Sequence, residues 1–139
     1  MSRSAGFGEL AVVLLVLALL ASGQATPRKP RARADARRLS GADLRTLARN
    51  AGFPDPRVAA AIAMAESTGD PRARNVTPRE DSRGLWQINV KAHKRFADAD
   101  LYDPQVNARA AFDVSRGGST FRDWSTFTSG KYKEFLDAP

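Results

Sequence analysis

The chain has 139 residues, with 22 Lys/Arg against 15 Asp/Glu for a formal net charge of +7, one histidine and no cysteine. That length holds one domain and a tail rather than two domains. The lack of cysteine excludes disulfides and thiolate metal sites, and a single histidine excludes a zinc site built on several.

Residues 1–25 read as an export signal. Arg3 gives a weakly positive start, Leu10 to Ala21 is an uncharged apolar run, and Gly23-Gln24-Ala25 puts small residues at −3 and −1 of a cleavage site. The run has twelve residues, short of the roughly twenty that span a bilayer. Secretion is the expected fate. Residues 26–38 form a basic disordered linker, too poor in hydrophobics to bury a core. It carries six Lys/Arg against one Asp, whereas residues 39–139 carry 15 Lys/Arg and 13 Asp/Glu. The folded part is therefore nearly neutral, which excludes a basic nucleic-acid groove. The linker is either a solvated spacer or an electrostatic contact to an anionic polymer or membrane surface.

The domain, residues 39–139, opens with a helix from Leu39 to Asn50. Ser40 and Asp43 make a capping-box-like pair, Leu39 and Leu44 sit at the staple positions, Leu44, Leu47 and Ala48 form the inner stripe, and Gly52 ends it. The next helix is the centre of the chain. Asp55 suits the N-cap, Pro56 the first helical position, Gly69 the C-terminal break and Pro71 the stop. Val58, Ile62 and Glu66 recur at i, i+4 and i+8, on a face that is apolar until it reaches the acid. A carboxyl there is desolvated and close to the negative end of the helix dipole, and both effects raise its pKa. A general acid needs that property to stay protonated near neutral pH. The alternative is a surface glutamate in the last turn, or one paired with Arg72 or Arg74.

Asp70 to Arg83 is polar, holds two prolines and lacks periodicity, so it reads as a loop. Gly84 to Ile88 reads as extended or irregular, and Asn89 as the cap of a short helix through Phe96. His93 reads as a partly exposed helix residue. Asp103-Pro104 starts a helix with Val106, Ala110, Ala111 and Val114 inward, closed by Gly117-Gly118. Phe121, Trp124, Phe127, Tyr132 and Phe135 crowd the end of the chain and read mostly as core. No stretch alternates clearly as a strand, so the domain is expected to be mainly α.

Four of these stretches, in this order, resemble the soluble lytic transglycosylase branch of the lysozyme-like superfamily. They are Glu66-Ser67, then Gly84-Leu85-Trp86-Gln87 about eighteen residues on, then Asp103-Pro104-Gln105-Val106-Asn107, and finally Trp124-Ser125-Thr126-Phe127-Thr128-Ser129-Gly130. Members carry Glu-Ser, Gly-Leu-Met-Gln, Asp-Pro-x-x-Asn and Ala-Tyr-Asn-Ala-Gly at suitable spacing. The resemblance spans roughly Leu44 to Leu136. It implies a small, mainly helical lysozyme-like domain with a short irregular or β-like segment by the cleft.

It also implies a role for each matching residue. Glu66 would be the catalytic acid and base that cleaves the bond between N-acetylmuramic acid and N-acetylglucosamine. Ser67, Gly84, Trp86, Gln87 and Phe127 would be the substrate-binding positions. Trp86 replaces a usual methionine and is either plain core or a screen that keeps Glu66 dry. Phe127 replaces a tyrosine whose hydroxyl lies near the acid in relatives, and Thr128 replaces the asparagine. That loss leaves a lysozyme-type hydrolase open, for which Asp70 and Asp81 are the candidate second carboxylates. A non-catalytic peptidoglycan-binding module of the same fold is the remaining alternative. No cofactor or metal is expected. The expected partners are peptidoglycan glycan strands, with anionic wall polymer for the linker, and the expected state is a secreted or wall-associated monomer.

Overall fold

The computed structural model describes residues 37–139. The export signal and most of the basic linker lie outside the described residues. Helix α1 (Gly41–Ala51) begins where the sequence places its cap. The Ser40 hydroxyl accepts the Asp43 amide at 3.1 Å, and the Asp43 carboxylate accepts the Ser40 amide at 3.0 Å. Two of the helix's orphan N–H groups and its entry angle are thereby settled locally. Gly52 closes it in the left-handed region (φ 101°). Leu44 and Ala48 face inward and are fully buried.

Helix α2 (Pro56–Ser67) starts on Asp55, whose carboxylate accepts the Val58 amide at 3.1 Å. Five consecutive residues, Ala59 to Ala63, are buried. A helix with so continuous a buried apolar stretch belongs in the middle of a fold, and its alanines let neighbours approach closely. The C-cap is Thr68 (φ 51°), one residue before the expected Gly69. Gly69 takes a second left-handed position because the Leu39 carbonyl lies where a Cβ would go. The Leu39 amide donates to the Gly69 carbonyl at 2.7 Å, which ties the start of the domain to the end of α2.

The loop expected between Asp70 and Arg83 is instead an antiparallel hairpin. Strands β1 (Arg74–Thr77) and β2 (Glu80–Arg83) turn around Pro78 and Arg79, and β3 (Ile88–Asn89) adds to β2 to give the order β1-β2-β3. The register pairs Asn75 with Ser82 and Val76 with Asp81. Every residue of β1 is exposed, so the strand buries no apolar face and leaves no alternating pattern in the sequence. Asn89 caps no helix there. Its side chain accepts the Asp81 amide at 3.2 Å and the Lys91 amide at 3.0 Å, and only a 3₁₀ turn follows, at Lys94–Phe96.

Helix α3 (Pro104–Val114) is capped by Asp103, whose carboxylate accepts the amides of Gln105 and Val106. A four-residue helix α4 (Ser125–Thr128) and a 3₁₀ turn (Lys131–Phe135) complete the order. The core gathers around α2. Phe53 stacks on Trp86 and on Phe121, at 6.2 and 5.9 Å between ring centroids, and meets Phe112 edge-on at 5.4 Å. The last residues return to the first two helices, where Arg45 donates to the Ala138 carbonyl and Arg57 pairs with Asp137. The domain is thus mainly helical, with one small sheet whose last strand meets α3. Among the described residues no helix is long and apolar enough to cross a membrane.

Candidate active site

Glu66 sits in the last turn of α2 and is half-buried. The Thr126 hydroxyl, on α4, donates to its Oε1 at 2.6 Å. Burial is the strongest influence on Glu66 and raises its pKa above the ordinary 4.5. The Thr126 hydroxyl pulls the other way, since it stabilises the charged form. The negative charge of Glu80 pushes up again, while the Thr126 amide and the Lys131 charge pull down more weakly; the balance is a raised pKa. Arg72 and Arg74 make no ion pair with Glu66: Arg74 pairs with Asp81.

Asp81 stands in the opposite situation. Arg83 and Arg74 both grip its two oxygens, the closest contacts being 2.6 and 2.9 Å. Arg83 chiefly, and Arg74 with it, hold this carboxyl well below the usual carboxylate range. Asp70 is turned back to accept the Arg72 amide at 2.9 Å. Both carboxylates named from the sequence as a possible second acid are therefore committed to local structure.

The carboxylate whose charge reaches Glu66 is Glu80, which the sequence reading missed. Its oxygens accept Asn75 Nδ2 at 2.9 Å and the Ser82 hydroxyl at 2.5 Å. On a strand, residues two apart share a face, so Glu80 and Ser82 lie on one side of β2 while Asp81 and Arg83 lie on the other. A hairpin centred on Pro78-Arg79 was the signal that separates the two acids.

The Gly84–Gln87 segment follows directly from β2. Asn107, fully buried on α3, pins it with three bonds: Nδ2 donates to the carbonyls of Arg83 and Leu101, both at 2.9 Å, and Oδ1 accepts the Trp86 amide at 2.8 Å. Gly84 is required there, because a Cβ would overlap the Leu101 carbonyl and the Asn107 amide group. Trp86 is fully buried; its indole donates to the Ala59 carbonyl at 3.0 Å, and its own carbonyl accepts the Trp124 indole at 2.7 Å. Gln87 is half-buried at φ 47°, and its amide group donates to the carbonyls of Ala73 and Gly84. The buried Ser67 hydroxyl turns back onto the Ala63 carbonyl at 2.9 Å. Phe127 stacks on Tyr132 at 4.9 Å and touches Phe121.

The sequence-selected residues thus fall on three neighbouring elements: Glu66 and Ser67 on α2, Gly84, Trp86 and Gln87 on the turn after the hairpin, and Phe127 on α4. The hydroxyl that meets Glu66 comes from Thr126, the residue before Phe127. His93 lies 3.4 Å from Asp123. Among the described residues no group of three or more His, Cys, Asp or Glu is arranged to hold a metal ion.

Residues 45–126 match the family model described as a lysozyme like domain. The match runs over more than half of the chain and includes Glu66, the hairpin, Asn107 and Thr126. This chain belongs to the lysozyme-like domain family, which lies within the superfamily of peptidoglycan-directed glycosidases and transglycosylases. No curated protein and no solved structure matches it.

Proposed function

We propose that this lysozyme-like domain cleaves peptidoglycan as a lytic transglycosylase, with Glu66 as the general acid and base. One observation carries the reading: Glu66 is an acid on the apolar face of α2, half-buried, raised in pKa, and held at Oε1 by the Thr126 hydroxyl. Among the described residues no side chain bonds its second oxygen, which carries the proton. Glu66 gives that proton to the glycosidic oxygen between N-acetylmuramic acid and N-acetylglucosamine as the bond to C1 breaks. The substrate's N-acetyl group assists at the anomeric carbon, so a second enzyme carboxylate is not required, unlike the usual two-carboxylate scheme. The Glu66 carboxylate then takes the proton of the muramoyl 6-hydroxyl as O6 bonds to C1, giving a 1,6-anhydro end and a free 4-hydroxyl on the departing strand. No water is consumed.

Around that step, Gln87 and the Gly84 backbone shape the cleft wall beside Glu66. Trp86 works from behind, holding that wall against α2 and keeping water from the apolar side of the acid. Ser67 and Phe127 fix the ends of the elements that meet at the acid. The domain acts as a secreted or wall-associated monomer on glycan strands, with the basic linker against anionic wall polymer.

A hydrolase is the second reading, and Glu80 favours it. A carboxylate locked by Asn75 and Ser82, with its charge felt at Glu66, is a candidate to orient an attacking water. Digestion of purified peptidoglycan with mass analysis of the products separates the two. Anhydro-muropeptides are the expected products. Reducing-end products, about 18 Da heavier by the added water, would replace the transglycosylase by a hydrolase. Wall binding without any products would leave a binding module.

A further inference from the structure

We propose that Thr126 is the positioning residue for the Glu66 carboxyl: its hydroxyl fixes Oε1 and leaves Oε2 to carry the proton that is transferred. This role rests on the catalytic reading above and refines it. A glutamate reaches its carboxyl through three rotatable bonds, and a general acid must be held within hydrogen-bond reach of the atom it protonates. Among the described residues Thr126 is the one side-chain hydrogen-bond partner of Glu66. The neighbouring hydroxyls are spent elsewhere: Ser67 on the Ala63 carbonyl and Thr128 on the Ser125 carbonyl.

The hydroxyl is itself held from outside, since α4 has only four residues and cannot fix its own place. Trp124, at its N-cap and buried, donates its indole N–H to the Trp86 carbonyl at 2.7 Å. Trp86 in turn donates its indole N–H to the Ala59 carbonyl of α2 at 3.0 Å. Ala59 and Glu66 are seven residues apart, close to two turns, and so share a face of α2. The circuit leaves that face at Ala59, passes through Trp86, Trp124 and Thr126, and returns to it at Glu66. On the other side of Thr126, Phe127 is stacked on Tyr132 and packs at a tilt against Phe121. A hydroxyl on a helix anchored at its start by two buried indoles, and followed by an aromatic stack, dictates where the flexible carboxylate sits.

The same contact trims the acid. Burial alone would raise the pKa of Glu66 until it gave up its proton poorly, and the bond from Thr126 opposes that rise. Thr126 thereby does the work for which the resemblance implied a tyrosine hydroxyl at Phe127, from one residue earlier and on a shorter side chain.

Thr126→Val keeps the shape and removes the hydroxyl; Thr126→Ser keeps the hydroxyl. The Glu66 side-chain carboxyl is titrated by carbon-13 NMR in each protein, and kcat and KM on soluble glycan strands are followed against pH. In the valine variant the Glu66 titration and the alkaline limb of the rate profile both move to higher pH. There kcat falls about tenfold with KM unchanged, the loss expected from one hydrogen bond to a charged group. Serine restores both readouts. A folded valine variant that cleaves with an unmoved titration and an unmoved alkaline limb overturns the positioning role while the catalytic reading stands. Absence of cleavage by the wild type overturns the catalytic reading, and the positioning role with it, whatever the titration shows.

Discussion

Two carboxylates stand close in sequence and are handled in opposite ways. Glu66, at the end of α2, receives an apolar setting, one hydroxyl and the repulsion of Glu80, and its pKa rises. Asp81, on β2, receives two guanidinium groups, and its pKa falls. Desolvation and an unlike charge act on the same chemical group with opposite sign. The acid left short of partners is the one that can exchange a proton; the acid given two is a fastener for the hairpin. Structure and chemistry are therefore separable by substitution at these two positions.

The largest expected separation comes from Glu66→Gln. Losing the general acid removes roughly 100- to 10,000-fold in rate, measured as muropeptide release, while wall binding persists. Its stability moves the other way. The folded-state pKa of Glu66 lies above its ordinary 4.5, so folding favours the proton. Stability is fullest below 4.5 and falls as pH rises through the folded value. Glutamine escapes that loss, so the variant melts at a higher temperature than wild type at neutral pH, and the gap narrows on acidification.

Asn107→Ala tests the frame that both acids share. It strands the Trp86 amide and the carbonyls of Arg83 and Leu101 in the core, and denaturant unfolding should show a loss on the order of 3–5 kcal/mol. Asp81→Asn comes next. Its depressed pKa means that its contribution to stability is present above 3.8 and lost as pH falls toward the folded value. The variant melts lower than wild type at neutral pH, the gap closes in strong acid, and glycan cleavage survives wherever the protein is folded. Glu80→Gln is the smallest change. It removes a repulsion, lowers the pKa of Glu66 and shifts the alkaline limb of activity modestly to lower pH. An unmoved limb would show that the charge of Glu80 does not act on Glu66.

These contrasts also mark what the residues alone disclose. Both long helices before the hairpin were legible because their signals are local: the Ser40-Asp43 box, the Asp55-Pro56 start and the buried alanines of α2. Glu66 was legible because an acid interrupts an apolar face. The hairpin was not, since a strand that buries nothing has no alternation to read, and with it went the distinction between Asp81 and Glu80. Asn107 and Trp86 matched family positions, but their three-way pinning of the turn depends on contacts across long stretches of chain. Thr126 was hidden for the same reason, sixty residues from the carboxyl it touches.

The most direct measurement is muropeptide release from purified peptidoglycan by wild type, Glu66→Gln and Asp81→Asn, side by side at a temperature where all three are folded. Release by wild type and Asp81→Asn but not by Glu66→Gln is the expected result. Release by Glu66→Gln at the wild-type rate would contradict the assignment of the chemistry to Glu66, and release by none of the three would contradict catalysis itself.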